Sequence, residues 1–230
     1  PFSVEELKIQ SDKAAEALSV LRALAGLVIQ PLFWQSAAVS LARIFLGILW
    51  GTALGVLLAV LTSLSAWADR ILSPIIRIIR ATPVISFILL VWLWVSRVQV
   101  PTVISGLMVL PVVWGNVAKG ILQTDPLLLE MARAYRFSRW NTLRLVYIPS
   151  VRPYFVSGLD TAMGLAWKSG VAAEAICLPA LALGSQIYYA KLYLESPELF
   201  AWTAVVIALS YALEKLVAHL FQTGRKEVAP

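Results

Sequence analysis

The feature that most constrains this chain is an unbroken apolar stretch at residues 44–66, which holds 23 residues and no charged side chain. A helix of roughly 20 mainly apolar residues is long enough to cross the hydrocarbon core of a bilayer. A second uncharged stretch, residues 98–118, contains 21 residues. Within the first stretch, Gly47, Gly51 and Gly55 lie four apart on one helical face. Small residues at this spacing predict close packing against another helix.

Composition supports a membrane protein rather than a soluble one. Of the 230 residues, 60% are hydrophobic and only 14% are charged, and the mean hydropathy is +0.80. Soluble domains carry about 25% charged residues, and a soluble fold of this size could not bury so much apolar surface. Nine Trp and seven Tyr suit the two membrane interfaces, where amphipathic rings are favoured.

The single cysteine and the single histidine limit the chemistry that the chain can carry. Cys177 alone cannot form a disulfide framework or a cysteine metal cluster, and His219 alone excludes most zinc sites. The formal charge of +6 is spread between apolar stretches rather than gathered in one patch, which argues against nucleic acid as a partner. We therefore expect no metal, no cofactor and no nucleic acid.

Three weaker apolar segments bring the predicted number of spans to five. They are residues 81–96, 154–178 and 199–213. The second of these carries Asp160, Lys168 and Glu174, and ionisable groups inside a membrane are costly. The predicted fold class is all-α, a polytopic membrane helix bundle.

The chain divides into three predicted regions. Residues 1–35 mix apolar and charged side chains, and Pro31 ends the pattern, so they are predicted to form an amphipathic segment at the membrane interface. Residues 36–220 form the transmembrane domain, which includes a long polar loop at residues 122–152. Residues 221–230 form a cytoplasmic tail.

The distribution of lysine and arginine predicts which loops face the cytoplasm. With five spans, residues 67–80, residues 122–152 and the tail share one side, and with the adjoining helix ends they hold 12 of the 19 basic residues. Positively charged loops tend to stay in the cytoplasm. We therefore expect these segments inside and residues 1–35, 97–100 and 179–198 outside.

The polar loop contains a clear helix start. Asp125 can cap free backbone amides, and Pro126 suits the first helical position. The sequence predicts an amphipathic helix of about four turns from there. One face of it carries Leu127, Met131, Ala134 and Ser138, with Leu128 and Tyr135 beside them.

Two interpretations of this loop helix are open on physical grounds. A basic helix can lie on anionic lipid, where each basic residue contributes about 1 kcal/mol. Alternatively, the apolar ridge enters a groove on a cytoplasmic partner. Further along the chain, Pro149 and Pro153 are expected to break the helix.

The loop resembles a motif of one transporter family. Residues 130–140, EMARAYRFSRW, followed by YIPS at residues 147–150, resemble the EAA loop of the permease subunits of binding-protein-dependent ABC importers. Three further segments resemble the permease core and its nitrate, sulfonate and taurine branch; they are residues 40–47, 166–174 and 197–203. The resemblance extends from residue 32 to residue 217.

This resemblance implies a multi-pass permease subunit of the bacterial inner membrane. A second permease subunit, expected to be an identical copy, would share the path for a small polar solute such as an oxyanion, a sulfonate or a vitamin precursor. An extracytoplasmic binding protein would deliver the solute, and cytoplasmic ABC ATPase subunits would drive transport. The chain has no G-x-x-x-x-G-K-[ST] loop, so ATP hydrolysis is expected on the partner and no enzyme activity here.

The branch normally has one more span at its N-terminus. Because this sequence starts with Pro1 rather than Met, we expect that a sixth span is missing from it.

The same resemblance implies which residues contact the ATPase. They are Glu130, Met131, Ala132, Arg133, Ala134, Tyr135, Arg136, Ser138 and Arg139. Two positions depart from the family pattern, since Arg136 stands where the loop usually has Gly and Met131 stands where it usually has Ala. The turn at residue 136 must therefore be made by a residue with a side chain.

Asp160, Lys168 and Glu174 are the candidates for the translocation path. Asp160 and Glu174 also fit positions near the cytoplasmic and outer interfaces, and Lys168 also fits a structural pair with either carboxylate. If Lys168 faces the path, its ammonium would attract an anion or a polar ring. Arg43 is expected to be an interface anchor at the outer end of the first span.

Other functional classes remain open from the sequence. A secondary transporter or channel works without ATP and is usually built from repeats, and no repeat is visible here. An intramembrane protease needs His or paired metal ligands within the spans, whereas His219 follows the last apolar run and Lys168 is adjacent to Ser169. A scaffold protein would not require charges inside a span.

Overall fold

The computed structural model describes the backbone of residues 4–222 and the side chains of residues 17–215. Within these residues the regular structure is helical, which confirms the predicted all-α fold. The elements are α1 (Val4–Ile29), α2 (Pro31–Leu64), α3 (Ala66–Ala81), α4 (Val84–Trp92), α5 (Val100–Leu122), α6 (Pro126–Ala134), α7 (Arg139–Thr142), a π-helical turn (Leu143–Tyr147), α8 (Ile148–Cys177), α9 (Leu183–Leu192) and α10 (Ser196–Gln222).

The centre of the bundle is α5, which packs between α2 and α8. The glycine face of α2 lies directly on α5. A Cβ atom added to Gly47 would stand 2.7 Å from the Cβ of Ser105, and one added to Gly51 would stand 2.5 Å from the carbonyl oxygen of Gly106. These distances leave no room for a side chain, so the predicted helix packing of this face is confirmed.

Helices α2 and α5 run parallel to each other. Gly47 in α2 contacts Ser105 in α5. Further along both helices, the Nε1 of Trp114 donates a hydrogen bond of 3.0 Å to the Oγ1 of Thr62. Two adjacent parallel spans require the chain to cross back between them, and α3 and α4 are the elements that do so.

The return crossing differs from the predicted span at residues 81–96. Helix α3 ends at Ala81, and α4 covers only Val84–Trp92 and is bent by 104° from α3. The break falls at Thr82, whose φ of −78° and ψ of 135° are extended. A proline disfavours helical geometry in the residue before it, and Pro83 therefore ends α3.

The five predicted spans correspond to five candidate segments in the described part of the chain. Three helices are long and apolar enough by themselves, namely Pro31–Leu64, Val100–Leu122 and Ser196–Lys215. The bent pair α3 and α4 supplies a fourth. The fifth is α8, whose 30 residues extend over about 45 Å. It runs antiparallel to α5, because Gly170 contacts Ser105 while Gly158 contacts Asn116.

The contacts of α10 show in which direction it runs and which segments lie at the same end of the bundle. Its Trp202 stacks on Phe33 near the start of α2 at 5.5 Å between ring centroids. Its Glu214 lies near Gly164 in the middle of α8. Helix α10 therefore runs parallel to α2 and α5. As the sequence predicts, the segment after α2, the loop after α5 and the end of α10 share one end of the bundle.

The N-terminal segment is a separate helix. Gln30 interrupts the chain between α1 and α2, and Pro31 occupies the first turn of α2. The last residues of the predicted segment 1–35 therefore lie in the first turns of α2, which begins at Pro31. The charged side chains up to Glu16, on which the prediction of an amphipathic segment rests, and tail residues 223–230 lie outside the described residues.

Candidate functional site

Helix α6 starts as the sequence predicts. The carboxylate of Asp125 accepts a hydrogen bond of 2.9 Å from the amide of Leu127, and Pro126 is the first helical residue. The helix is shorter than predicted, since it spans only the nine residues Pro126–Ala134. The expected four-turn helix is wrong, because the apolar periodicity continues through residues 135–138 while the backbone does not.

Arg136 makes the turn that ends α6. Its φ is +51°, in the left-handed region that usually takes glycine. The amide of Phe137 bonds the carbonyl of Ala132 at 2.8 Å, and the amide of Arg136 bonds that of Arg133 at 3.0 Å. This pair of bonds is a Schellman motif, which satisfies the last helical carbonyls. The structure thus confirms that a residue with a side chain makes this turn.

The apolar ridge of α6 is uncovered. Leu127 is 71% exposed and Tyr135 is 74% exposed, and Leu128 and Met131 are also exposed. Large apolar side chains gathered at this exposure mark a surface that another molecule covers.

Of the coupling residues predicted from the sequence, one is buried and the others are exposed. Ala132 is buried, and α6 contacts the π-helical turn of its own chain. The exposed members are Glu130, Met131, Arg133, Ala134, Tyr135, Arg136, Ser138 and Arg139. Ser138 is not on the α6 ridge, because its hydroxyl caps α7 through the amide of Asn141 at 3.2 Å. Within this set, Ala132 faces the protein and the other residues face away from it.

From Arg139 to Cys177 the chain is continuously helical. Helix α7, the π-helical turn and α8 follow one another without a break. The expected breaks at Pro149 and Pro153 are wrong. Pro149 lies in the first turn of α8, directly after the π-helical turn, and Pro153 lies inside the helix. A π-helical turn contains one extra residue. The backbone hydrogen bonds of the helix can therefore rearrange where a proline lacks its N–H donor.

One face of α8 exposes polar side chains along much of its length. Ser157, Asp160, Thr161 and Lys168 are all exposed, and spacings of three, four and seven residues (157 to 160, 157 to 161 and 161 to 168) place them on one side of the helix. Neither Asp160 nor Lys168 has an ion-pair partner among the described side chains. Two of the three predicted path residues therefore share one open face.

Glu174 is separated from that face. It is 0% exposed, and its Oε2 accepts hydrogen bonds from the hydroxyl of Ser40 at 2.8 Å and from the amide of Gly184 at 3.2 Å. The Nη1 of Arg43 lies 3.7 Å from its Oε1. Glu174 thus joins α2, α8 and α9 inside the chain. The alternative that Lys168 pairs with a carboxylate is not found among the described residues, and the cation beside Glu174 is Arg43.

Arg43 also holds the connector between α8 and α9. Its guanidinium donates to the carbonyls of Ala180 and Leu181 at 3.1 and 3.3 Å. Leu178 and Leu181 both have positive φ, near +50°. Arg43, whose side chain is 14% exposed, therefore pairs with a buried carboxylate at the end of the bundle where the sequence predicted an interface anchor. The sequence signal for this pair was the position of the two opposite charges, with Arg43 near the start of one predicted span and Glu174 near the end of another.

The fold and these surfaces define a polytopic membrane protein with an exposed amphipathic helix at one end. Residues 51–224 match the family described as "Binding-protein-dependent transport system inner membrane component". The match takes in more than half of the chain, which therefore belongs to this family.

Curated relatives carry the names of solute transport permeases. The chain is 27% identical over 183 residues to the taurine transport system permease protein TauC of Escherichia coli, covering 79% of this chain and 66% of that protein. It is 32% identical over 152 residues to the nitrate import permease protein NrtB of Leptolyngbya laminosa, covering 63% and 52%. The chain thus spans between half and two thirds of the length of these relatives.

Two solved structures share the fold. An amino acid ABC transporter with histidines superposes with a TM-score of 0.70 at 19% identity, covering 89% of this chain and 98% of that one. The MetNI methionine ABC transporter superposes with a TM-score of 0.63 at 21% identity, covering 83% and 93%. At these identities the likeness concerns the arrangement of the helices.

Proposed function

We propose that this chain is the permease subunit of an ATP-driven importer in a bacterial inner membrane. It forms part of the path of a small solute and takes up motion from a cytoplasmic ABC ATPase through α6. A second permease subunit, an identical copy in the simplest arrangement, completes the path. An extracytoplasmic binding protein delivers the solute. ATP hydrolysis takes place on the ATPase, so this chain is not itself an enzyme.

The observation that carries this proposal is the uncovered ridge of α6. The helix is capped at both ends, buries Ala132 and contacts the π-helical turn, while Leu127, Met131 and Tyr135 remain exposed. A short rigid helix of this kind can enter a groove on a partner and move as a unit with the spans behind it. The π-helical turn leads directly into α8, so motion at α6 reaches a span that carries the open polar face.

The orientation follows from charge. The end of the bundle that carries α6 also carries the basic residues of α3 and of the loop after α5. The positive-inside rule places this end in the cytoplasm, where an ATPase resides. The connector between α8 and α9 then faces the outside, where a binding protein docks.

The proposed solute carries an oxyanion group. The relatives are named for taurine, nitrate, bicarbonate and aliphatic sulfonates, which share small size and a negatively charged oxygen-bearing group. Lys168 supports this class, because it is an exposed cation on a spanning helix without an ion-pair partner among the described residues. Such a group in a membrane is stable when it faces water or an anion.

The test replaces Met131, Ala134 and Tyr135 together by Asp and measures solute uptake and the partner that co-purifies. A photoreactive azido-ATP labels any ATPase that accompanies the wild-type chain. The charged triple variant is expected to lose both the labelled partner and the uptake, because three carboxylates cannot enter an apolar groove. The control is Met131→Leu, Ala134→Ser and Tyr135→Phe, which keeps the ridge and should keep both. Normal ATP-coupled uptake by the Asp variant would overturn the proposal.

A further inference from the structure

A cavity of about 320 Å³ lies between α9 and the start of α10. One face of α9 forms one wall, and the turn into α10 with the first turns of that helix forms the other. The lining residues are Gln186, Tyr189, Ala190, Tyr193, Glu195, Glu198 and Trp202. Tyr193 is 68% exposed, whereas Ala190 and Trp202 are only 4% and 3% exposed. The cavity therefore has an open mouth and a buried floor, as ligand sites have.

The turn between α9 and α10 holds the acidic wall of this cavity in place. The amide of Glu195 bonds the carbonyl of Ala190 at 2.9 Å. The amide of Leu194, whose φ is +60°, bonds that of Lys191 at 3.2 Å. These two bonds form a Schellman motif, as at the end of α6. The carbonyl of Glu195 also accepts a bond of 2.9 Å from the amide of Leu199 in α10. Glu195 is thus fixed by both helices before any partner arrives, which lowers the entropy cost of binding.

The polar groups that line the cavity lack partners. The carboxylates of Glu195 and Glu198 lie close enough to interact, and neither has an ion-pair partner among the described residues. Two carboxylates at close range repel each other, and a cation between them removes that cost. The indole N–H of Trp202 has no hydrogen-bond partner within the described part of the chain, whereas those of Trp114 and Trp167 each have one. The cavity therefore lacks a cation for its carboxylates and an acceptor for this indole.

The rings beside the carboxylates favour an organic cation. Tyr189, Tyr193 and Trp202 line the same cavity as Glu195 and Glu198. A guanidinium or an ammonium gains a cation–π interaction from such rings. A guanidinium also forms paired hydrogen bonds with a carboxylate while its plane stacks on a ring. The side chains of arginine and lysine therefore match the cavity.

The position of the cavity indicates which molecule brings this side chain. Trp202 stacks on Phe33 at the start of α2, so the cavity lies at the end of the bundle opposite α6. Unpaired carboxylates are stable in water rather than in hydrocarbon, and they repel the phosphate of a lipid headgroup. Leu192 and Leu194, on either side of Tyr193 in the chain, are 57% and 87% exposed. A docking protein covers such apolar side chains and fills the cavity at once, whereas a free cation only fills it.

We propose that this cavity receives an arginine or lysine side chain of the extracytoplasmic binding protein. The cation lies between Glu195 and Glu198, and a backbone carbonyl of the same loop accepts from the indole of Trp202. Because the binding protein is part of the proposed function, this assignment rests on that function. A basic side chain in a preformed pocket lined by aromatic rings is typical of the few residues that contribute most to a protein interface.

The first test identifies the occupant by photo-crosslinking in whole cells. The photoreactive residue p-benzoylphenylalanine replaces Tyr193, and mass spectrometry identifies the product. The expected product joins this chain to a soluble extracytoplasmic protein, at a segment that contains arginine or lysine. The same label in place of Trp140, which is 66% exposed at the opposite end of the bundle, should not capture that protein. A product at residue 193 with a second copy of this chain, or with phospholipid, would overturn the proposal.

The second test measures the affinity of the captured binding protein for nanodiscs that hold the full chain with the subunits that co-purify. E195Q with E198Q should weaken binding about tenfold. Exchange of the captured arginine or lysine for glutamine should do the same. The two changes together should cost little more than either alone, because they remove the same contact. An unchanged temperature of Cys177 labelling by a maleimide dye shows that the variant is folded.

Two control variants test the location of the charge. D69N with E214Q removes two carboxylates at the α6 end and should bind as the wild type does. R97Q with K191Q removes exposed basic side chains that a second copy would bring to the cavity, and it should also bind normally. Equal affinity of the wild type and E195Q with E198Q, while ATP-coupled uptake persists, would overturn this assignment alone. A wild type without a labelled ATPase or uptake would instead overturn the proposed function.

Discussion

The hydroxyl of Ser40 in α2 donates a hydrogen bond of 2.8 Å to the carboxylate of Glu174 in α8. The same hydroxyl oxygen accepts a hydrogen bond of 2.9 Å from the amide of Leu183 at the start of α9. One serine therefore links three helices at the end of the bundle opposite α6. Glu174 completes this link through Gly184 and Arg43.

Loss of the Glu174 carboxylate is expected to destabilise the fold strongly. Glu174→Ala leaves the Arg43 guanidinium without its anion and the Ser40 hydroxyl without its acceptor. Removing one partner of a buried ion pair costs about 3 kcal/mol. The measurement uses Cys177, which is the single cysteine and only 2% exposed. Heating in the presence of a maleimide dye reports the temperature at which this thiol becomes reactive.

The matched control for this prediction is Asp160→Asn. It neutralises a carboxylate on the same helix that is exposed rather than buried. Surface changes of this kind alter stability by less than about 0.5 kcal/mol. Equal loss of stability in the two variants would show that burial of Glu174 contributes nothing.

Local signals in the sequence predicted part of this architecture. The glycine face of α2, the cap at Asp125 and the turn at Arg136 each depend on residues close together in the chain. The Ser40, Arg43 and Glu174 contacts join spans far apart in sequence, and only the packing of α2 and α8 around α5 brings them together. For that reason Glu174 was expected beside the path, although the structure buries it.

Two predictions of length were wrong for physical reasons, that of α6 and that of the span at residues 81–96. The apolar pattern of α6 continues past Ala134, but the spacing of apolar residues does not show that Arg136 adopts a left-handed φ. Hydropathy likewise carries no information on the direction of a helix axis. Residues 81–96 were therefore predicted as one span, although the chain bends by 104° between α3 and α4, at Pro83.

A side chain at Gly51 should force α2 and α5 apart. An added Cβ would stand 2.5 Å from the carbonyl oxygen of Gly106 and 2.8 Å from its Cα, and both atoms belong to backbone that cannot rotate away. Overpacking of this kind costs about 3 kcal/mol, so Gly51→Ala should lower the temperature of Cys177 labelling. Gly115→Ala is the control, because nothing lies within 4 Å of its Cβ position. That variant should be neutral or slightly stabilising.

Arg136→Gly should stabilise the end of α6. A left-handed φ costs a residue with a Cβ about 1 kcal/mol more than it costs glycine. Hydrogen exchange of the Phe137 amide, which bonds Ala132 at 2.8 Å, is expected to slow about fivefold, as such an energy implies. Arg136→Val should accelerate exchange, because a β-branched residue tolerates this conformation poorly. Unchanged exchange in both variants would mean that the turn is not strained.

Lys168 should face water rather than lipid in the assembled transporter. Lys168→Cys in a Cys177→Ala background places a thiol on the open face of α8, and Leu46→Cys places one on α2 at a position where Leu46 is 56% exposed and apolar. A thiol reacts as the thiolate, which forms in water and is suppressed in hydrocarbon. A membrane-impermeant thiosulfonate should therefore modify residue 168 at least about tenfold faster than residue 46.

If Lys168 lines the path of an oxyanion, solute delivered by the binding protein should slow this reaction, and Lys168→Arg should retain uptake that Lys168→Gln loses. Equal modification at the two positions would place Lys168 against lipid and remove it from the path.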